Sequence, residues 1–491
     1  MRIPEAISGC WNLQSLHLIR CKGLVELPES IGKLKKLRTL GLNFASELES
    51  LPQSIGDCQD LQSLNLYFCK KFREIPSTIC EISNLRVLRI YGDSSLKQLP
   101  SECTREFSNL RTLDLYETEV TVLPHWVTAI GTLECINLQG CYKLLELPKG
   151  IGNLKRLIVL NIEGCISLCC IPSGIGQLTS LRQLGLFVVG CGRDARISEL
   201  GNLDRLSGKL EIRNLKYLKD LCDAKKACLK QKNGIRNLVL NWSLNKREEL
   251  ASNVEQEQAL LNYLEPPLQI MYLKIKGFRG PCLPRWLMEQ NCSSYYEGTT
   301  VKNISPCQYL SITNMTLSQF PNLKHIQGLL MFPSLKSLEL WEMASLEELW
   351  TTTSGFEIQD EELSAQCCFP VLSNLSIRDC PQLSSVKPYF PPLLENLFLR
   401  ETNLHLLSPG SFSHMLPPPA NESSSSSSLH SVVPHLKQLQ LHVMRGSSSV
   451  WELLQYHTYL ETLCINDCND LTQVPESIRS LTSLQRLEIT Q

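Results

Sequence analysis

The chain has 491 residues, with 48 Lys and Arg against 49 Asp and Glu and a formal charge of -1. That balance leaves no surplus of cations to neutralise a phosphate backbone or an anionic bilayer, so neither nucleic acid nor a membrane is expected as a partner. Nowhere do eighteen apolar residues run together, and the opening MRIPEAISGCWNLQSL offers no apolar core for a signal peptide; a cytoplasmic chain with no membrane span is the expectation.

Cysteine is frequent, 22 residues, yet below the roughly 8–10% share that marks a small disulfide scaffold. The length suffices to bury a core without covalent staples. No two cysteines stand three apart, and the pairs Cys165 with Cys169 and Cys464 with Cys468 have no second pair at zinc-ribbon spacing, so no metal site is expected. Nine histidines are scattered, and no G-x-S-x-G or H-E-x-x-H occurs. No catalytic residue and no cofactor is therefore assigned, and the chain reads as a non-enzyme. Glycosylation sequons, at Asn241 and later positions, bear only on a secreted chain and are read as chance.

In chain order, the motif L-x-x-L-x-L starts at Leu13, Leu37, Leu61, Leu85, Leu110, Leu133, Leu157 and Leu181, a period of 24 with one-residue slips around Leu110. Most units continue to a second apolar pair closed by proline, as in Leu27-Pro28, Leu51-Pro52, Ile75-Pro76, Leu99-Pro100 and Leu147-Pro148. In x-L-x-L-x the apolar side chains point to one face of a strand, and proline then bars a ladder strand from continuing. One unit cannot bury its leucines alone, but stacked units can, at about 1.5–3 kcal/mol per leucine. The pattern predicts an α/β leucine-rich-repeat solenoid, a horseshoe with a parallel β-sheet on its concave face and short helices, 3-10 turns and loops on its convex face. Counting nine positions from each start finds Cys21, Cys69, Cys141, Cys165, Cys380 and Cys468. Such repeats place Asn or Cys there to bond neighbouring backbone, so these cysteines read as a structural ladder and the others as small core hydrophobes.

Residues 1–188 form the regular region. After Leu186 the period loosens, and 189–300 reads as irregular repeats with helical insertions around Leu218–Gln231 and Arg247–Leu264. Residues 301–491 read as irregular repeats carrying two polar, disordered loops, 351–365 and the Pro/Ser tract 417–428. Candidate strands in this half include Leu238–Leu240, Leu273–Ile275, Leu310–Ile312, Leu338–Leu340, Leu375–Ile377, Leu397–Leu399, Leu439–Leu441, Leu463–Ile465 and Leu487–Ile489. IPEAISGCWNL aligns on LPQSIGDCQDL, so Met1 enters in mid-unit, and Gln491 follows a strand. Open apolar ends of this kind are expected to self-associate or to need a partner.

The block Glu199–Ser243 carries L-S-G-K-L-E-I, D-A-K-K-A-C-L and L-V-L-N-W in succession, and Leu273–Leu287 reads LKIKGFRGPCLPRWL. In these segments the chain resembles the leucine-rich-repeat region of plant coiled-coil, nucleotide-binding, leucine-rich-repeat disease-resistance proteins. The resemblance implies a recognition and autoinhibition module of an intracellular immune receptor. The partners it implies are the receptor's nucleotide-binding domain, a pathogen effector or a guarded host protein. The family's P-loop is absent; Gly32-Lys33 and Gly208-Lys209 are each followed by Leu, so this chain is not expected to be the nucleotide switch. The alternative is a free-standing intracellular scaffold of the Ras-group type, which shares the L-P-x-x-I-G pattern.

Residues at one repeat position form a column across strands spaced about 4.8 Å apart. The seventh position gives Tyr67, Tyr91 and Tyr116, and the second gives Arg38, Arg86 and Arg111. The fifth gives Arg89 and Asp114, and the eighth gives Phe44, Phe68 and Glu117. Tyr and Arg dominate binding hot spots, so this face is the expected protein-docking site. The competing reading is that the rings only stack on one another.

Overall fold

The computed structural model describes residues 1–92, 95–103, 107–190, 194–243, 254–288, 309–327, 332–351, 369, 371–386, 390–391, 393–407, 436–443, 454, 457–467, 474 and 476–490. The chain divides into two compact units, Met1–Ile235 and Arg236–Gln491.

In the first unit, strands β1 (Ser15–His17), β2 (Thr39–Gly41), β3 (Ser63–Tyr67), β4 (Val87–Tyr91), β5 (Thr112–Asp114), β6 (Cys135–Asn137) and β7 (Val159–Asn161) form one parallel sheet in chain order. Each residue pairs with its equivalent one repeat away, so Leu16, Leu40, Leu64, Leu88, Leu113, Ile136 and Leu160 stand in a single row. From Leu40 to Leu160 that row is buried, because the even alternation of the strand sends it inward while the x residues face out. At the first repeat Leu16 and Leu18 are half-buried. Strands β8 (Gly185–Val188) and β9 (Ser207–Arg213) pair in parallel further along.

On the opposite side, proline starts a 3-10 helix after the second apolar pair, at Glu29–Lys33, Gln53–Asp57, Ser77–Glu81 and His125–Ala129. The N-cap prolines hold φ near -70°, for example -72° at Pro28 and -68° at Pro52, which turns the chain out of the sheet without exposing a lost donor. These helices pack backbone against backbone. A Cβ on Gly32 or Gly56 would lie 2.5 Å from the carbonyl oxygen of Ser54 or Thr78, which is why the I-G pair recurs. Carboxylates from neighbouring repeats take up the helices' unpaired amides: Ser30 N donates to Glu5 at 3.1 Å, Ser54 N to Glu29 at 3.0 Å, and Gly174 and Gly176 N to Glu199 at 2.9 Å each. Within the expected helical stretch around Leu218–Gln231, α1 (Leu221–Lys226) is capped by Asp220, whose side chain accepts from Cys222 N at 2.8 Å.

In the second unit β10 (Gly234–Asn241), β11 (Tyr272–Lys276), β12 (Asn314–Ser318), β14 (Ser337–Trp341), β16 (Asn374–Arg378), β18 (Asn396–Arg400), β19 (Gln438–His442), β20 (Thr462–Asn466) and β21 (Arg486–Thr490) pair in parallel in that order. Three short strands, β13 (His325–Gln327), β15 (Glu348–Thr351) and β17 (Ser385–Val386), make a second parallel sheet that the sequence reading missed. The reading also misplaced one strand. Leu310–Ile312 is not extended; β12 begins at Asn314 and buries Met315 and Leu317, while Ile312 takes the first, buried repeat position and Leu310 stays exposed. Of the second helical insertion, α2 (Val254–Tyr263) is described; 247–253, the loop 417–428 and 352–365 lie outside the described residues. At β21, Leu487 and Ile489 are exposed.

The inward row makes a direct test available. Leu64 is fully buried, whereas Asn65 beside it faces out and donates to Ser63 Oγ at 3.0 Å. Leu64→Asp is expected to cost on the order of 4 kcal/mol and Asn65→Asp less than about 1 kcal/mol. Circular dichroism melts of the two variants read the difference, and equal shifts would contradict the register.

Candidate protein-docking face

The eighth repeat position follows the strand, where the chain must turn sharply back. It is left-handed in the repeats from Leu13 to Leu157, with φ of 59° at Arg20, 61° at Phe44, 53° at Phe68, 85° at Gly92, 55° at Glu117, 74° at Gly140 and 76° at Gly164, but not at Val188 of the repeat from Leu181, which lies in a strand. Glycine adopts this geometry freely, whereas a bulky L-residue pays about 1–2 kcal/mol for it. Phe44 and Phe68 nonetheless occupy it, and their rings stack 5.5 Å apart at an interplanar angle of 10°. Phe68 then lies flat on Gly92, where an added Cβ would meet its ring at 3.1 Å. Tyr67 joins Phe44 at 5.1 Å and Phe68 at 4.4 Å, Tyr91 lies 4.5 Å from Tyr67, and Tyr116 lies 6.5 Å from Tyr91. The expected column is thus one contiguous aromatic cluster. Phe44 is exposed and the other four rings are half-buried. Arg20, one repeat earlier and not among the expected residues, places its guanidinium 6.0 Å over Phe44; counting the eighth column back one unit would have found it.

The charged residues sort into two groups. Arg89 Nε faces Asp114 Oδ2 at 4.0 Å, and Asp114 Oδ1 accepts from Asn137 Nδ2 at 2.9 Å and from Tyr116 N at 3.3 Å. Arg111 Nη1 reaches Glu134 Oε1 at 3.2 Å. Lys209 pairs with Glu163 and Lys143 with Glu119. Arg38 and Arg86 are exposed and have no carboxylate partner among the described residues. The aromatic cluster therefore lies beside the unpaired Arg38 and Arg86, and Arg89 and Arg111 close ion pairs at its edge.

A second polar face lies on the second unit. Trp341 Nε1 donates to Asp379 Oδ2 at 2.9 Å, and Arg400 Nε faces Asp379 Oδ1 at 3.6 Å. Arg378 sits 4.4 Å over Phe398, whose other neighbour, His442, stacks at 4.8 Å. Burial holds the His442 imidazole below its ordinary range, aided by the Arg400 and Arg378 charges. Beside them Glu339, Asn374, Ser376, Asn396 and Gln440 line a depression of about 300 Å³.

The family described as R13L1/DRL21 LRRs matches residues 197–343, a stretch that contains both Glu199–Ser243 and Leu273–Leu287. Over 233 residues, 42% of this chain, it is 30% identical to disease resistance protein RGA2 of Solanum bulbocastanum. Over 318 residues, 59% of this chain, it is 28% identical to a putative disease resistance RPP13-like protein 1 of Arabidopsis thaliana. Over these stretches the chain is similar to R13L1/DRL21 leucine-rich repeats and to plant disease resistance proteins. The aligned part spans 22% of the first relative and 30% of the second. A leucine-rich-repeat protein of Leptospira interrogans aligns over 94% of this chain and 97% of its own, with 18% identity and a TM-score of 0.41.

Three of the ninth-position thiols make a ladder of backbone hydrogen bonds, whereas Cys21 and Cys380 donate to Ile19 O and Arg378 O within their own repeats. Cys69 Sγ donates to Leu42 O at 2.8 Å, Cys141 to Leu115 O at 3.0 Å and Cys165 to Leu138 O at 3.1 Å, each reaching the preceding repeat. Burial pushes Cys69 up to about 11 and Cys165 and Cys380 up to about 12, so they remain thiols. Cys468 lies outside the described residues. The reading of the remaining cysteines as core hydrophobes holds for buried Cys58 but not for exposed Cys10, Cys169, Cys222 and Cys282. Nor does it hold for Cys80 and Cys103, which are joined as a disulfide with Cα atoms 5.6 Å apart. No such bond was expected, because the pairing depends on where the two meet in space.

Asp114 yields a prediction on pH. Burial raises its carboxyl pKa, against the lowering effect of Tyr116 N, Asn137 and Arg89. An acid whose folded pKa lies above its unfolded value destabilises the fold progressively as pH rises from the unfolded value of about 3.9 through the folded one. Asp114→Asn keeps an oxygen for Asn137 and Tyr116 and carries no charge. Its melting temperature relative to the parent is expected to rise between pH 4 and pH 7, as paired thermal melts would show; a falling difference would mean the Arg89 pair outweighs burial.

Proposed function

We propose that the open strand face of Met1–Ile235 is a protein-recognition surface of a plant intracellular immune receptor. In this reading it is a non-catalytic, cytoplasmic module needing no cofactor. It engages the receptor's nucleotide-binding domain to hold it inactive, or a pathogen effector or guarded host protein to release it. The observation that carries the reading is the contrast along the face. Phe44, Tyr67, Phe68 and Tyr91 form an aromatic surface beside Arg38 and Arg86, whose charges have no carboxylate partner among the described residues. Arg89, Arg111, Asp114 and Tyr116 form its paired border. Aromatic and arginine side chains offer large contact areas with hydrogen-bonding tips, and unpaired arginines favour an acidic partner. The match to resistance-protein repeats supports the immune context over a free-standing scaffold.

The contacts between rings also support a second reading, in which the cluster only stiffens the sheet, at about 0.5–1.5 kcal/mol per pair. Two variants separate the readings. Arg38→Glu combined with Arg86→Glu should leave the melting temperature near that of the parent. It should raise Kd for a co-expressed nucleotide-binding domain or an identified effector at least tenfold, about 1.4 kcal/mol. Tyr91→Ala should lower both stability and affinity if the rings dock a partner, and stability alone if they only stack. Parent-like binding by both variants would move recognition away from this face, toward Trp341, Arg378 and Arg400.

A further inference from the structure

Among the described residues the stack of 3-10 helices in the first unit is interrupted after Ser77–Glu81, and the disulfide lies at the interruption. Helices Glu29–Lys33, Gln53–Asp57 and Ser77–Glu81 pack in succession, and His125–Ala129 packs on Ile151–Asn153. Between them, Leu99-Pro100 is followed by Ser101–Cys103, which are not helical. This repeat, running from Leu85 to Leu110, is one residue longer than the period of 24, and the next, to Leu133, is one shorter. Cys80, at the end of Ser77–Glu81, bonds across the gap to Cys103, a separation of 23 residues. On the far side Trp126 holds the same segment, its Nε1 donating to Pro100 O at 2.8 Å and its ring lying 5.6 Å from Phe107. On the sheet side the junction is spanned by Tyr91 and Tyr116, at 6.5 Å the widest spacing in the aromatic cluster.

Cys80 is buried and Cys103 half-buried, so Cys103 is the more exposed residue of the pair. The ladder thiols are engaged with carbonyl oxygens instead. The consecutive Cys169 and Cys170 have sulfurs 3.9 Å apart and unbonded. We propose that Cys80 and Cys103 form a reversible thiol–disulfide site, exchanging with a small-thiol couple such as glutathione, whose reduction opens the junction between the fourth and fifth repeats. In the reducing direction, a glutathione thiolate attacks Sγ of Cys103. The Cys80–Cys103 bond breaks, and Cys80 leaves as a thiolate and takes up a proton. A second glutathione thiolate attacks the glutathione sulfur of the mixed disulfide, releasing glutathione disulfide and Cys103, which is protonated in turn. Two glutathione thiols thus supply two electrons and two protons, and oxidation by glutathione disulfide is the reverse. With the bond gone, Ser101–Cys103 keeps the Trp126 contact but loses its tie to the preceding helix. This site is independent of whether the strand face docks a partner.

The test equilibrates the full chain in mixtures of reduced and oxidised glutathione, traps free thiols by alkylation, and reads the Cys80–Cys103 pair by peptide mass spectrometry. Backbone hydrogen exchange is followed in the same samples. The pair should pass from oxidised to reduced as the ratio changes. On reduction, protection over Pro100–Cys103 and Phe107–Tyr116 should fall about tenfold or more, while β7 is unchanged. Cys103→Ser should show the reduced pattern in every mixture; if that variant fails to fold, the two redox states of the parent still decide. A pair that stays oxidised in excess reduced glutathione is a static staple and overturns the proposal. So does a pair that stays reduced in excess glutathione disulfide, or one whose reduction leaves exchange unaltered.

Discussion

A leucine in a 24-residue unit cannot be buried by its own unit, and most features of the fold follow from that constraint. Parallel strands must pair equivalent residue with equivalent residue, since a slip of one would turn Leu64 outward and Asn65 inward. Once register is set this way, any residue type repeated at one position becomes a continuous column. The inward columns are leucine and isoleucine, and in the ninth-position column Cys69, Cys141 and Cys165 bond to the previous repeat's carbonyl. The outward columns are free to vary and carry whatever recognition the chain performs.

The cost of the return turn shapes that outer surface. The regular repeats from Leu13 to Leu157 take a left-handed residue after the strand, and Gly92, Gly140 and Gly164 show the low-energy solution. Phe44 and Phe68 take the strained one, and the stacked geometry they gain offsets it in part. Arg20 and Glu117 take the same geometry, but Phe44 and Phe68 are the two of these whose rings stack on each other. Beside them Arg38 and Arg86 have no carboxylate partner among the described residues, whereas Arg89 and Arg111 close ion pairs.

Sulfur divides in a similar way. Ladder thiols are held neutral by burial. Cys80 and Cys103 meet where two successive helices of the outer stack are not both present. A covalent bridge there substitutes for the backbone packing that Gly32 and Gly56 permit elsewhere.

Local pattern determined the repeat type, the strand register and the identity of the inward residues, because alternation and proline act within a few residues. It also placed Tyr67, Tyr91 and Tyr116 in one column, since a column needs only the period. Where the period failed, so did the reading. Leu310–Ile312 mimics a strand pair locally, and only the packing of Met315 and Leu317 into the core shows the strand to lie further on. The small sheet of β13, β15 and β17 has strands too short to announce themselves. Tertiary structure alone decided which arginines are spent on neighbours and which remain free, and which two cysteines meet. Such outcomes depend on distances between side chains a full repeat apart, and the period fixes the column a residue occupies but not the direction in which a long side chain extends from it.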